Sequence, residues 1–150
     1  MRKEFFEIAS PRDLLAKAKR DYEKMKIDTS TDTIFNFFVT AYHIVDYVKA
    51  LGTVPQTAID TLYSDTDFRM CQFLCKKGKH IQLRGNEPYE AKHVPAIQGG
   101  ILGSFILGYD ILGRTETFVI VDGTQELDVV KIGDDLIKKR EDFFLSHGIS

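Results

Sequence analysis

At 150 residues the chain has the usual length of a single domain, and a chain of this size buries about two-thirds of its unfolded surface on folding. Apolar residues make up 43% of it and charged residues 28%, which is typical of a soluble globular protein. Its formal net charge of -2 excludes a global attraction to nucleic acid or to an anionic membrane, so such binding would need a local patch. We therefore expect one domain that spans residues 1–150.

The start of the chain lacks the hydrophobic region of a signal peptide. No apolar run elsewhere approaches the roughly 18 residues that a membrane-spanning helix requires. We expect a cytoplasmic protein that does not bind a membrane.

Two helices are predicted near the amino terminus. Ser10 is a suitable N-cap, and Pro11 suits the first helical turn, where its missing N–H costs nothing. Residues 28–32 supply a break and the caps of a second helix, which runs over Ile34–Leu51 and is ended by Gly52. Because the connection is short, the two helices should lie antiparallel.

A polar stripe runs along the second helix, which is otherwise apolar on every side. The stripe consists of Asn36, Thr40, His43 and Tyr47, and the apolar residues around it are Phe35, Phe37, Phe38, Val39, Ile44, Val45 and Val48. A helix that is apolar all round should be buried, and a buried polar group costs free energy unless it meets a partner. The best candidate partner is a second stripe at the same spacing, formed by Arg69, Gln72, Lys76 and His80. We expect the second helix to be the most buried element and His43 to lie beside the segment that ends at His80.

Residues 55–80 have a helical pattern, with an expected break near residues 64–67, where capping residues recur. Gly78 and the lysines around it predict the end of this region, because glycine adopts the left-handed cap conformation and cations suit the negative end of the dipole. Cys71 and Cys75 lie one turn apart on its apolar face. We interpret them as small core residues rather than as a disulfide.

A small antiparallel sheet is predicted next. Residues 81–103 are typical of a long loop with at most short strands. Ser104–Tyr109 and Glu116–Val121 are rich in β-forming residues, and the turn signal Asp122–Gly123 leads into a further run, Thr124–Leu127.

A final helix follows the sheet. Asp128 is its expected N-cap and His147–Gly148 its end, and Gly133 on its apolar face indicates a close helix crossing. The predicted fold class is α+β: mainly a helical bundle with a small antiparallel β-sheet inserted before the C-terminal helix.

Most standard catalytic and nucleotide-binding motifs are absent. The chain has no GxxxxGK[ST] phosphate loop, no GxGxxG fingerprint, no GxSxG elbow and no HExxH zinc helix. Gly99, Gly100 and Gly103 precede a β-rich run rather than a helix, so we interpret them as a turn rather than as a phosphate loop.

His43 and Asp46 form the sharpest local pair, because residues three apart on a helix can share a ligand, a metal or a partner side chain. Three interpretations stay open. His43 can bond Asp46 or a nearby hydroxyl and stiffen the core, it can act in acid–base chemistry, or it can join Asp46 and His80 in an open zinc or iron site. We expect no metal and no cofactor.

A basic cluster surrounds the end of the third helical region. It consists of Arg69, Lys76, Lys77, Lys79 and His80. Cations beside a histidine favour its neutral form and can hold a phosphate against it, which suits cleavage of an RNA phosphodiester. The alternative is a solvated helix terminus.

Three segments carry a resemblance to known proteins. NFFVTAYHIVDY at 36–47, GKH at 78–80 and FFLSHGI at 143–149 resemble a family of uncharacterised bacterial proteins, some found near phage or mobile elements. The similarity spans nearly the whole chain and implies a shared fold but no activity. The bundle is also similar to the HEPN superfamily of ribonucleases and toxin-associated proteins. Those enzymes place an arginine a few residues before the histidine, whereas Arg69 lies farther from His80, and Lys76 would have to replace it.

Two functions are therefore considered. The first is a non-catalytic interaction or accessory module with a HEPN-like helical scaffold, whose polar stripes only satisfy one another. The second is a metal-independent ribonuclease-like enzyme with His43 or His80 as the base. In it, Lys79 and Arg69 would stabilise phosphate charge and Asp46 would orient the imidazole. The expected partner is another protein or an RNA, and a homodimer stays open.

Overall fold

The computed structural model of the protein describes residues 5–80, 88–95 and 116–150, and at residues 93–95, 116 and 117 only the backbone is described. Among these residues no helix is both long and apolar enough to cross a membrane. The helices and strands that they form are α1 (Pro11–Ile27), α2 (Thr31–Leu51), α3 (Gln56–Ser64), α4 (Thr66–Lys79), β1 (Glu90–Pro95), β2 (Glu116–Asp122), β3 (Gln125–Asp128) and α5 (Val129–Ser146). The predicted fold class, a helical α+β chain with a small sheet before its last helix, is confirmed.

Reciprocal capping bonds begin the first two helices. The Ser10 hydroxyl accepts from the Asp13 N–H at 3.2 Å, and the Asp13 carboxylate accepts from the Ser10 N–H at 2.9 Å. Ser30 and Thr33 make the same exchange at the start of α2. These bonds satisfy N–H groups that have no partner within the helix, so both starts are determined locally.

The helix α2 lies between α1, α4 and α5 and packs against all three. Phe37, Phe38 and Ile44 on its inner faces are at most 1% exposed. Its burial is incomplete, however, because Phe35 keeps 38% of its surface exposed. Helices α1 and α5 bury a similar share of their residues, so the prediction that α2 is the most buried element is wrong.

Gly133 permits the close crossing that the sequence predicts for the last helix. A Cβ at this position would lie 3.0 Å from Phe37 Cε1, 3.1 Å from Met25 Cε and 3.2 Å from Tyr22 Cδ2. Those distances are tighter than ordinary van der Waals contact, so a larger residue would push α5 away from α1 and α2.

Gly78 has a different role from the predicted one. It does not end α4, which continues to Lys79 and takes His80 as its C-cap, with an extended backbone. A Cβ at Gly78 would lie 2.6 Å from Phe35 Cδ2. The glycine therefore makes room for an aromatic ring of α2, a contact between two helices that a local sequence pattern does not reveal.

The expected break near residues 64–67 occurs at Asp65, which separates α3 from α4. Its carboxylate accepts from the Phe68 N–H at 3.1 Å and so caps α4. Lys139 of α5 donates to Asp65 at 2.7 Å and also pairs with Asp67. The start of α4 is thereby joined to α5.

The three strands form one antiparallel sheet in the order β1-β2-β3. The predicted hairpin between β2 and β3 is confirmed, and Gly123 in its turn has a φ of 61°. β1 lies inside the predicted loop and pairs with β2 in a register that sets Ala91 opposite Ile120. The sequence of β1 does not alternate between apolar and polar residues, so its extended conformation depends on hydrogen bonding to β2. The predicted strand Ser104–Tyr109 lies outside the described residues.

Arg140 is a buried cation, and two of its three side-chain nitrogens lack a hydrogen-bond partner among the described residues. Its side chain is on the apolar face of α5 and the residue is 3% exposed, and its Nε and Nη1 atoms have no partner within the described part of the chain. The guanidinium lies over the Phe68 ring, 5.2 Å from its centroid. Burial lowers the pKa of Arg140. Within the described ranges, the group is held by a cation–π contact and by packing rather than by an ion pair.

We predict that Arg140→Met raises the free energy of unfolding by about 1 kcal/mol or more. Methionine keeps most of the packing of the arginine side chain. It removes two unpaired buried donor atoms, each of which costs about 1–3 kcal/mol. It also removes the cation–π contact, which contributes up to about 2 kcal/mol. Urea unfolding followed by circular dichroism measures the change. Arg140→Ala, which leaves a cavity, should instead lower stability. If Arg140→Met is less stable than the wild type, the prediction is wrong, and the Nε and Nη1 atoms of Arg140 have a stabilising partner after all.

Candidate functional site

His43 is held between α2 and α4 by both of its ring nitrogens. Its Nδ1 lies 2.8 Å from Asp46 Oδ2, and its Nε2 lies 2.9 Å from Lys79 Nζ. Because an ammonium group can only donate, Nε2 is the acceptor of the second bond, and Nδ1 carries the proton donated to the carboxylate. The geometry fits a single neutral tautomer of the imidazole.

This trio of side chains lies at the surface rather than in the core. The side chains of His43 and Asp46 are 37% and 55% exposed, and Lys79 is exposed as well. The Tyr42 ring packs edge-on against the imidazole, with 5.1 Å between the ring centroids. Water therefore reaches the charged members, and their mutual attraction is weakened by its high dielectric constant.

The two predicted polar stripes do not face each other. Thr40 meets α1 instead, where its hydroxyl lies 3.0 Å from Asp21 Oδ2 and 2.9 Å from Lys17 Nζ. Asn36 is exposed, and its backbone carbonyl oxygen lies 2.9 Å from Thr40 Oγ1. Residues three apart on a helix point about 60° away from each other, so one edge of the stripe faces α1 and the edge with His43 faces α4.

The second stripe is mostly solvated. Gln72 donates to the Tyr42 hydroxyl at 3.3 Å, whereas Arg69, Lys76 and His80 are exposed. His43 does lie beside the segment that ends at His80, as predicted, but the residue that reaches it is Lys79. The structure thus joins His43, Asp46 and Lys79 of the predicted site and leaves Arg69 at the other end of α4.

A metal site would require several donor side chains to lie close together among the described residues. No group of three or more histidine, cysteine, aspartate or glutamate side chains in the described ranges is arranged to hold a metal ion. The hydrogen bonds to Asp46 and Lys79 use the same two nitrogens with which His43 would bind zinc or iron. The geometry therefore does not support a zinc or iron site formed by His43, Asp46 and His80.

The two cysteines are free and buried, which confirms their interpretation as core residues. Burial raises the pKa of both thiols, and at Cys75 this effect outweighs the nearby Lys79 and Lys76. Since the thiolate is the reactive form, neither cysteine is suited to act as a nucleophile at neutral pH.

Sequence reasoning missed a buried polar network between α1 and α2. Asp21 is only 7% exposed, and it accepts from Lys17 at 2.5 Å and from the Thr40 hydroxyl at 3.0 Å. The available signal was the spacing of Lys17 and Asp21, which are four apart on the face that also carries Leu14 and Ala18.

Sequence reasoning also missed an apolar groove of about 500 Å³ beside the sheet. It lies between the start of α2, the end of α4, strands β1 and β2 and the start of α5. Its apolar lining residues include Ile34, Phe35, Leu74, Phe118, Val119 and Val129, and its polar ones are Thr31, Asp32, Lys77 and Lys92. No local pattern indicates it, because its walls come from five elements.

Comparison of the chain with protein-family models, with curated proteins and with solved structures gives no match. The relation to uncharacterised bacterial proteins and to the HEPN superfamily therefore stays a prediction from the segments that carry it.

We predict that Thr40→Val destabilises the protein more than His43→Ala does. The valine removes the buried hydroxyl that donates to Asp21, at a cost of about 1–3 kcal/mol, whereas the partners of His43 are exposed and their loss should cost about 0.2–1 kcal/mol. Denaturant unfolding of the two variants measures the difference. Thr40→Ser, which keeps the hydroxyl, is the matched control and should lose less than Thr40→Val. An equal or larger loss in His43→Ala would contradict this ranking.

Proposed function

We propose that the protein is a non-catalytic interaction module. The HEPN-like character of its helical scaffold and a bacterial, mobile-element setting belong to this proposal and rest on the resemblance alone. The observation that carries the proposal is that both ring nitrogens of His43 already have hydrogen-bond partners. A general base needs a free nitrogen within reach of the proton that it removes, and Nε2 of His43 is bonded to the Lys79 ammonium. The trio therefore serves to link α2 to α4.

The contact surface in this proposal is the exposed basic face of α4, formed by Arg69, Lys76 and His80. Arg69 and Lys76 are seven residues apart on α4, which places them on one side of the helix over about 10 Å at the usual rise per residue, and His80 is the C-cap that follows the helix. None of the three has an ion-pair partner in the described part of the chain. An acidic surface would complement this face.

The occupant that we favour is an acidic protein surface rather than RNA. Binding of single-stranded RNA usually adds aromatic rings on which the bases stack. The rings beside this face, Tyr42 and Phe68, instead stack on each other with 5.6 Å between their centroids, and Phe68 is 1% exposed. Within the part of the chain that the structure describes, these cations have no free ring beside them, and cations of that kind suit carboxylates arranged on a partner.

The charge-reversal variant Arg69→Glu/Lys76→Glu tests this surface. We expect the wild type to bind a poly-glutamate peptide at low salt, and the variant to lose about fivefold or more in affinity, since each exposed ion pair contributes about 0.2–1 kcal/mol. Fluorescence anisotropy of the labelled peptide measures binding. The matched control, Arg20→Glu/Lys24→Glu on α1, makes the same change in net charge and should bind like the wild type.

Two outcomes contradict this assignment. An equal loss in the control would mean that the peptide responds only to net charge. Tighter binding to a single-stranded RNA of equal charge, again lost in Arg69→Glu/Lys76→Glu, would make RNA the partner.

One observation favours a second candidate, the metal-independent ribonuclease. Asp46 orients a partly exposed imidazole, as the carboxylate of a catalytic pair does. In that reading Lys79 would leave Nε2 to bind phosphate, and His80 or Arg69 would stabilise its charge.

A cleavage assay separates the two candidates. We expect no cleavage of fluorogenic single-stranded RNAs by the wild type, and none by Lys79→Met, in which Nε2 is released. Cleavage by the wild type that His43→Ala abolishes, with unchanged unfolding, would instead support the enzyme. His80→Ala then shows whether the second histidine takes part.

A further inference from the structure

The hydrogen bond between His43 and Lys79 depends on the protonation state of the imidazole. Its Nε2 accepts from the Lys79 ammonium at 2.9 Å, which is possible only while that nitrogen has no proton. Histidine is the side chain that ordinarily changes charge between about pH 5 and pH 8. After protonation both groups can only donate, and two positive charges face each other between α2 and α4.

The bond to Asp46 has the opposite dependence. Nδ1 of His43 carries a proton in both states, so its 2.8 Å contact with Asp46 Oδ2 remains and becomes an ion pair. Both of these residues belong to α2, whereas Lys79 belongs to α4. A proton on Nε2 therefore removes the contact between the helices and strengthens the contact within α2.

The cations around this pair keep their charge over the same pH range. Lys49 of α2 interacts electrostatically with Asp46, and its hydrogen bond to the Tyr63 hydroxyl raises the pKa of the lysine. Lys76 lies about one turn before Lys79 on α4 and is exposed. In the described part of the chain neither Lys49 nor Lys76 bonds to the imidazole, and no side chain of α1 or α5 does. The loss of the Lys79 bond is therefore not replaced by another contact.

Two further titratable groups lie beside the contact on α4. Cys75 is close to Lys79, and burial raises the pKa of its thiol, so the thiol stays neutral over this range. His80 follows Lys79 directly and is exposed. Because His80 is also an imidazole, a test must separate its protonation from that of His43.

We propose that protonation of His43 releases the last turn of α4 from α2. While the imidazole is neutral, Lys79 bonds to it and holds this turn. Once protonated, the imidazole repels Lys79 and pairs with Asp46 alone. Lys77 and Gly78 of the same turn line the apolar groove, so the released turn is part of the lining of that groove. The switch concerns the attachment of α4 and does not depend on the proposed interaction with an acidic surface.

Nuclear magnetic resonance of the wild type between about pH 8 and pH 5 tests the switch. The imidazole nitrogen shifts should identify the Nδ1–H tautomer of His43 at the alkaline end, and the backbone amides of residues 76–80 should shift with the same midpoint as His43. The His80 amide donates to the Lys76 carbonyl at 2.9 Å, and its protection factor in hydrogen exchange should fall about two- to fivefold on protonation. An Nε2–H tautomer at the alkaline end, or amides that do not follow His43, would overturn the proposal.

Four variants assign the response. His43→Gln keeps a side chain that donates and accepts but cannot titrate, and Lys79→Met removes the donor, so both should abolish the amide response. Lys76→Met removes the same charge from the same helix, and His80→Gln removes the neighbouring imidazole, so both should keep it. A response that persists in Lys79→Met, or that is lost in either control, would overturn the proposal. Circular dichroism checks that each variant folds, and for one that does not fold the titration of the wild type decides.

Discussion

Burial of α2 among α1, α4 and α5 is the constraint on which the other features of the structure depend. Phe37 and Phe38 lie edge to face with 4.8 Å between their centroids, and Gly133 lets α5 approach them without a side chain between. A helix enclosed on three sides has polar positions that face different neighbours. Thr40 therefore finds its partners on α1, whereas His43 finds one on α4.

The sequence predicted the elements better than their contacts. Caps such as Ser10, Ser30 and Asp128 act within one helical turn, so their residues alone reveal them. The strand β1 escaped prediction because its conformation depends on pairing with β2, whose sequence lies more than twenty residues away. Gly78 was misread for a related reason: glycine suits both a helix end and a close contact, and only the position of Phe35 decides between them.

The candidate site was predicted in part. His43 and Asp46 are three residues apart on one helix, so their hydrogen bond follows from local geometry. The contact with Lys79 depends on how far α4 extends and on its rotation against α2, which the sequence pattern leaves undetermined. The prediction that the two polar stripes face each other was wrong. Equal spacing shows which residues share one face of a helix, but it does not show which neighbouring helix that face contacts.

The end of α4 is fixed to α2 at two successive residues, and this connects the trio to the groove. Lys79 bonds His43, while Gly78, one residue earlier, packs against Phe35 one face away. Consecutive helical residues point about 100° apart, so the two contacts together determine both the position and the rotation of the last turn of α4. That turn also carries Lys77, which lines the groove. The hydrogen bond at His43 thus helps to position the residues of α4 that line the groove.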